Sequence, residues 1–163
     1  MTKRILFVCM GNICRSPAGQ AVMQRFAEEY LLDVEIESAG THGYHVGEPV
    51  DSRMREAAAA RGYELTGRAR QVERDDLEPG KYDLVLAMDT QNYAELRSMM
   101  AAPSSHVRLF GDYLDDGWLK EVPDPYYGEQ AGFDQVLDMF EEGCPLILQT
   151  LMGADIFDDE FDA

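Results

Sequence analysis

The chain has 163 residues and a formal net charge of −17, with 31 acidic against 14 basic side chains. Hydrophobic residues make up 45% of it, enough for one globular domain to bury a core without staples. Such a charge speaks against nonspecific binding to nucleic acid or to an anionic membrane, and no apolar run approaches the ~20 residues that span a bilayer.

Arg4–Val8 reads as a first strand, with Ile5-Leu6-Phe7-Val8 a continuous apolar run. Cys9, Met10, Gly11, Asn12, Ile13, Cys14, Arg15 and Ser16 form the loop that follows, closed by Pro17. Ala18–Tyr30 reads as a helix, with Ala18, Val22, Phe26 and Ala27 at helical spacing. Val34–Glu37 is a short second strand that runs into Ser38-Ala39-Gly40-Thr41. Asp51 is placed to cap a helix through Arg61, with Gly62 as its stop. Tyr82–Ala87 reads as a third strand, Asp89 opens another helix, and Val107–Phe110 is a fourth strand. A long final helix over Glu129–Leu151 is expected to break near Gly143-Cys144-Pro145. The acidic stretch 154–163 reads as a poorly ordered tail behind a single domain over 1–153. Strands alternating with helices predict an α/β fold: a three-layer α/β/α sandwich on a four-stranded parallel sheet of flavodoxin-like or Rossmann-like topology.

The first loop carries the chemistry. A strand that enters a tight loop and then a helix start gathers backbone N–H groups where the helix dipole favours an anion. Cys9 adds a nucleophile; a free thiol has a pKa of about 8.5, and a helix N-terminus with a nearby guanidinium helps it ionise. Arg15 supplies a planar fork for two phosphate oxygens, which Lys could not copy. Gly11 allows either a backbone conformation or a close approach that a Cβ would block. Asn12 tolerates left-handed dihedrals and braces its own loop. Ser16 can donate to the thiolate, cap the helix, or do both. Met10, Ile13 and Cys14 complete the wall of the phosphate site. Cys14 is either a small buried residue or a partner for a reversible disulfide that shelters Cys9 from overoxidation.

Thiolate attack on phosphorus expels an alkoxide or phenolate that needs a proton. Asp124, in Val122-Pro123-Asp124-Pro125-Tyr126-Tyr127-Gly128, is the best candidate. The flanking prolines stiffen the loop, and Tyr126 and Tyr127 offer an apolar wall. Asp89 is the reserve. His42, His45 and His106 lack metal-ligand spacing, so no metal and no cofactor is expected; His42, Tyr44 and His45 are placed near the substrate rim. Cys144 is assigned to the core. Three cysteines without framework spacing, and an N-terminus without a signal-peptide core, point to the cytoplasm.

Taken together, these stretches resemble the low-molecular-weight protein tyrosine phosphatases over about residues 3–150. They are Phe7 to Pro17, Ser38-Ala39-Gly40-Thr41, Ala69-Arg70-Gln71, Ala87-Met88-Asp89 and Asp124-Pro125-Tyr126-Tyr127. The resemblance implies a phosphocysteine at Cys9, phosphate binding by Arg15 and acid–base work by Asp124. It also implies that Ser38 helps Asn12 hold the loop, and that Tyr126 and Tyr127 flank the substrate ring. Tyrosine-phosphorylated proteins are the implied partners of a monomer, with a cognate tyrosine kinase an open further one. Members often carry His at position 67 to support the loop Asn, so Gly67 predicts weaker bracing here. Many have Trp where Tyr44 stands, and the smaller ring predicts a shifted substrate preference. A thioredoxin-coupled arsenate reductase would need further cysteines between Cys14 and Cys144, which are absent. Protein arginine phosphatases place Thr at position 13; Ile13 favours an aromatic phosphoester. A flavin-binding carrier of the same fold would have little use for a reactive thiol beside a positioned acid.

Overall fold

A computed structural model describes residues 2–126 and 128–153. The tail expected over 154–163 and the substrate contact expected of Tyr127 lie outside them. The predicted strand at the N-terminus is β1, Lys3–Cys9, and it occupies the middle of the sheet. It pairs in parallel with β2 (Val34–Gly40) on one side and β3 (Leu84–Ala87) on the other, while β4 (Val107–Leu109) adds to β3. The order among the described residues is β2-β1-β3-β4. Crossing from β2 back past β1 to β3 makes the C-terminal end of β1 the point where the winding reverses. Open α/β sheets take their ligands at that position.

The apolar run in β1 is continuous because both faces of the sheet are covered. Ile5 and Phe7 join a core with α1 (Arg15–Glu29), α2 (Ser52–Ala59) and α4 (Gln130–Met152). Leu6 and Val8 face the opposite way, onto Leu96 of α3 (Thr90–Met99) and onto Val72, Leu77 and Tyr82. Successive side chains thus alternate between two packed layers, as the two-residue period of a strand dictates.

Most element ends move by a few residues from the sequence-based expectation. The first helix begins at Arg15, not Ala18, so Ser16 lies inside its first turn and Cys14 holds the capping position. The hydroxyl of Ser16 therefore serves the loop and not a cap. Asp51 does cap α2, accepting from the N–H of Arg53 at 2.9 Å, but the helix stops at Ala59 and Gly62 turns the chain afterwards with φ of 85°. The expected break in the last helix is absent: α4 runs through Pro145 without interruption. The reason is packing. A proline inside a helix costs about 3 kcal/mol, but Phe133, Val136, Phe140, Cys144, Ile147 and Leu148 form one fully buried stripe. Breaking at Pro145 would uncover Ile147 and Leu148, at roughly 1.5–3 kcal/mol each.

Candidate active site

The loop between β1 and α1 is fastened from behind through its carbonyl groups. Cys9 O accepts from Thr41 N–H at 2.8 Å, Met10 O from His42 N–H at 3.0 Å, and Ile13 O from Asp51 N–H at 2.8 Å. In a planar trans peptide the N–H of the next residue points opposite to the carbonyl. The N–H groups of Met10, Gly11 and Cys14 are thereby turned forward, which is how such a loop cradles an anion.

Asn12 holds this curvature. Its φ is 59°, in the left-handed region that Asn enters more readily than most residues. Its Nδ2 donates to Ser16 Oγ at 2.8 Å and to Ser38 Oγ at 3.0 Å, and its Oδ1 accepts from the N–H of Arg70 at 2.9 Å. Ser38 Oγ in turn donates to Gln20 Oε1 at 2.7 Å. Every polar atom of the Asn12 side chain has a partner although position 67 is Gly. In place of a side chain there, a cavity of about 250 Å³ opens beside Gly67, Gln20 and Arg70. Asn12, Ser16 and Ser38 thus meet with their side chains behind the loop.

In front lies a cavity of about 360 Å³ lined by Cys9, Met10, Gly11, Ile13, Cys14, Arg15, Tyr44, His45, Asp124 and Tyr126. Residues far apart in the chain, each singled out by its own sequence context, thus share one pocket. Cys9 Sγ lies 3.0 Å from Ser16 Oγ and receives the N–H of Asn12 at 3.3 Å, two groups suited to negative charge on sulfur. The guanidinium of Arg15 is almost wholly buried and donates from Nη1 to Asp89 Oδ2 at 2.6 Å and to the carbonyl of Val122 at 3.0 Å. Its Nη2 stands 3.7 Å from Asp124 Oδ2. Burial works against its charge, but Cys9, Asp89 and Asp124 together outweigh that and hold Arg15 above its ordinary value. The Cys14 thiol is pushed well up, first by burial and then by Asp51, Cys9 and Asp124, so it stays protonated.

The loop after β4 brings Asp124 to this cavity. Val122 N–H donates to Met88 O at 2.8 Å, and Asp124 Oδ1 accepts from the N–H of Tyr126 at 3.1 Å. The ring of Tyr126 lies 6.0 Å from that of His45. His45, which the sequence places only near the rim, is a lining residue. Its Nδ1 pairs with Glu48, and its ring covers Gly11 so closely that a Cβ there would come within 2.9 Å of it. The expected close approach at Gly11 is therefore made by a side chain. Tyr44 is largely exposed and stacks on His42 at 5.3 Å. Asp89 opens α3 as its sequence context suggests, capping it through Asn92 N–H at 2.8 Å, while its other oxygen anchors Arg15. That second role spans 74 positions and leaves no local trace in the sequence. No group of His, Cys, Asp and Glu suited to a metal ion occurs among the described residues. None of their helices is long and apolar enough to cross a membrane.

Comparison with known proteins follows the same lines. The family model described as low molecular weight phosphotyrosine protein phosphatase matches residues 4–155. The low molecular weight protein-tyrosine-phosphatase of Streptomyces coelicolor is 41% identical over 157 residues, which cover 93% of this chain and 94% of that protein. The crystal structure of a protein tyrosine phosphatase from Entamoeba histolytica superposes with a TM-score of 0.87 at 38% identity, covering 93% and 97% of the two chains. A Drosophila arginine phosphatase shares the architecture at a TM-score of 0.84 and 27% identity, covering 93% and 99%. The match runs from β1 to the end of α4, over a pocket that gathers the loop cysteine, its arginine and a distant aspartate, and so the chain belongs to the low molecular weight phosphotyrosine protein phosphatase family.

Proposed function

We propose that this chain hydrolyses phosphotyrosine in proteins, and small aryl phosphates, in two steps through a phosphocysteine. The observation that carries the reading is the disposition of three side chains about one cavity. Cys9 Sγ sits between Ser16 Oγ and the N–H of Asn12, Arg15 is held by Asp89, and Asp124 lines the same cavity 3.7 Å from Arg15 Nη2.

In the first step the Cys9 thiolate attacks phosphorus opposite the ester oxygen, and the S–P bond forms as the P–O bond breaks. Asp124 gives its proton to the departing phenolate, so tyrosine leaves neutral. The forward N–H groups of the loop and the fork of Arg15 stabilise the equatorial oxygens as charge spreads over them. In the second step Asp124, now a carboxylate, takes a proton from water as that water attacks phosphorus. The Cys9 thiolate departs and inorganic phosphate is released. Asp89 orients Arg15 throughout. Ile13 and Tyr126, with His45, offer apolar and aromatic surface to the substrate ring.

Turnover of p-nitrophenyl phosphate tests the reading directly. Cys9→Ser should abolish it while leaving inorganic phosphate bound, since a hydroxyl cannot replace the thiolate. Residual activity above about 1% of wild type would refute covalent catalysis at Cys9. Phosphotyrosine, phosphoserine and phosphoarginine peptides, compared side by side, decide the substrate. Faster release from phosphoarginine would move the chain to the chemistry of its Drosophila neighbour.

A further inference from the structure

The stretch that begins α2 joins the two halves of the site by a route that does not pass through Arg15. The N–H of Asp51 donates to Ile13 O at 2.8 Å, which fastens this stretch to the phosphate loop. The carboxylate of Asp51, only 11% exposed, accepts from Arg53 Nε at 3.2 Å and from Nη2 at 3.1 Å. The same Nη2 reaches the acid loop and donates to Tyr126 O at 2.6 Å. The guanidinium also lies over the rings of Tyr126 and Phe133, at 5.4 and 4.9 Å. Tyr126 then donates its N–H to Asp124 Oδ1. The run is unbroken: Ile13, Asp51, Arg53, Tyr126, Asp124.

We propose that Asp51 and Arg53 are positioning residues that set the separation between the Cys9 thiolate and the carboxyl of Asp124; the inference rests on the phosphatase reading above. Val122 is anchored by Arg15 and Met88, but Asp124 lies further along, between two prolines that have no N–H to give. Arg53 supplies the anchor on the far side of Asp124. Its side chain is 43% exposed, and an ion pair so open to solvent contributes little to stability. What it fixes is direction. Burial alone would raise the Asp51 carboxyl, but the hydrogen bonds from Arg53 outweigh it and hold Asp51 below its ordinary value. The fork therefore keeps its partner in mildly acid solution. Only a guanidinium can serve Asp51 in two-pronged fashion and still reach Tyr126.

Misplacing a proton donor penalises a poor leaving group and spares a good one. Arg53→Gln should lower kcat/KM for phenyl phosphate by about tenfold or more, and for dinitrophenyl phosphate by less than about twofold. Inhibition by inorganic phosphate should stay within about twofold of wild type, because the loop amides and Arg15 are untouched. Asp51→Asn should act in the same direction. Arg53→Lys, which keeps one donor for Tyr126 O, should recover part of the loss. Equal loss for both esters, or weakened phosphate inhibition, would show that Arg53 merely supports the phosphate loop and would overturn the proposal. Unchanged rates for both esters would overturn it too. Should Arg53→Gln fail to fold by circular dichroism, Asp51→Asn and Arg53→Lys carry the same comparison. A wild-type protein inert to dinitrophenyl phosphate would overturn the phosphatase reading itself, an outcome distinct from the others.

Discussion

The proposed reaction turns on a single proton at Asp124. Its carboxyl is about one-third exposed and 3.7 Å from Arg15 Nη2, open enough to meet a substrate oxygen on one side and water on the other. Asp124→Asn should lower kcat for phenyl phosphates by about 10²–10⁴ with little change in KM, because the lost proton is needed only in the transition state. The loss should be larger for alkyl esters; equal losses across leaving groups would remove Asp124 from this role and turn attention to Asp89. Cys14 has a different part. We propose that it is the resolving thiol: it lines the same pocket as Cys9, and once the proton that burial favours is given up, its attack on a Cys9 sulfenic acid would form the disulfide and release water. After peroxide treatment, reductant should restore wild type more fully than Cys14→Ser, and equal recovery would refute the protective disulfide. Cys9 and Arg15 draw attention in the sequence because their stretch reads as a phosphate loop, and Asp124 because that loop lacks an acid of its own; the structure brings all three to one pocket. The hold of Asp89 on Arg15 and the cover of His45 over Gly11 are not legible in the sequence, since both depend on segments brought together only by the fold.

Among the elements, β2 shapes the phosphate loop from behind. A Cβ added at Gly40 would lie 2.6 Å from Met10 O, 3.0 Å from the Gly11 carbonyl carbon and 3.1 Å from Asn12 N, all of them backbone atoms. None can rotate out of the way, so the loop itself would have to move. Gly40→Ala should cost about 1–3 kcal/mol of stability and lower kcat/KM by about tenfold or more. Phosphate inhibition should weaken with it, and a wild-type inhibition constant would show that the loop tolerates the methyl group. The elements themselves are largely legible in the sequence, since the unbroken apolar run of β1 and the helical spacing of Ala18, Val22, Phe26 and Ala27 in α1 are signals that a single stretch carries. Their ends are not. Arg15 and Ser16 read as loop because their chemistry is that of a loop, yet the backbone there is already helical. Pro145 reads as a break because local propensity says so, but two fully buried residues beyond it, Ile147 and Leu148, decide otherwise.

Over the whole molecule, two buried phenols tie together segments far apart in the chain. Tyr63 donates to Glu141 of α4 at 3.1 Å, and Tyr82 donates to Glu37 of β2 while accepting from Arg70. Burial, followed by the neighbouring carboxylate in each case, pushes both up from 10.0 to about 12. A group whose folded-state value is raised gives stability that is complete below its unfolded value. That stability is lost as pH rises through the folded one. The melting temperature should therefore hold up to about pH 10 and fall between about 10 and 12. Phenolate absorbance should show these two tyrosines ionising last; a folded protein whose tyrosines all titrate together near 10 would contradict the assignment.

The path of the chain through the sheet also dictates when the pocket can exist. β1 ends in Cys9 at the centre of the sheet, yet Arg4 meets Asp83 across 79 positions, Arg15 meets Asp89 across 74 and Val122 across 107. Helices such as α1 and α4 form from neighbours, on timescales of about a microsecond. Parallel pairing over such separations is slow, because loop closure must precede any gain from the contacts. A refolding chain should thus regain its ellipticity before its turnover, with Cys9 outside the loop contacts of the native state until the sheet has paired. Turnover is the stricter gauge of the native state.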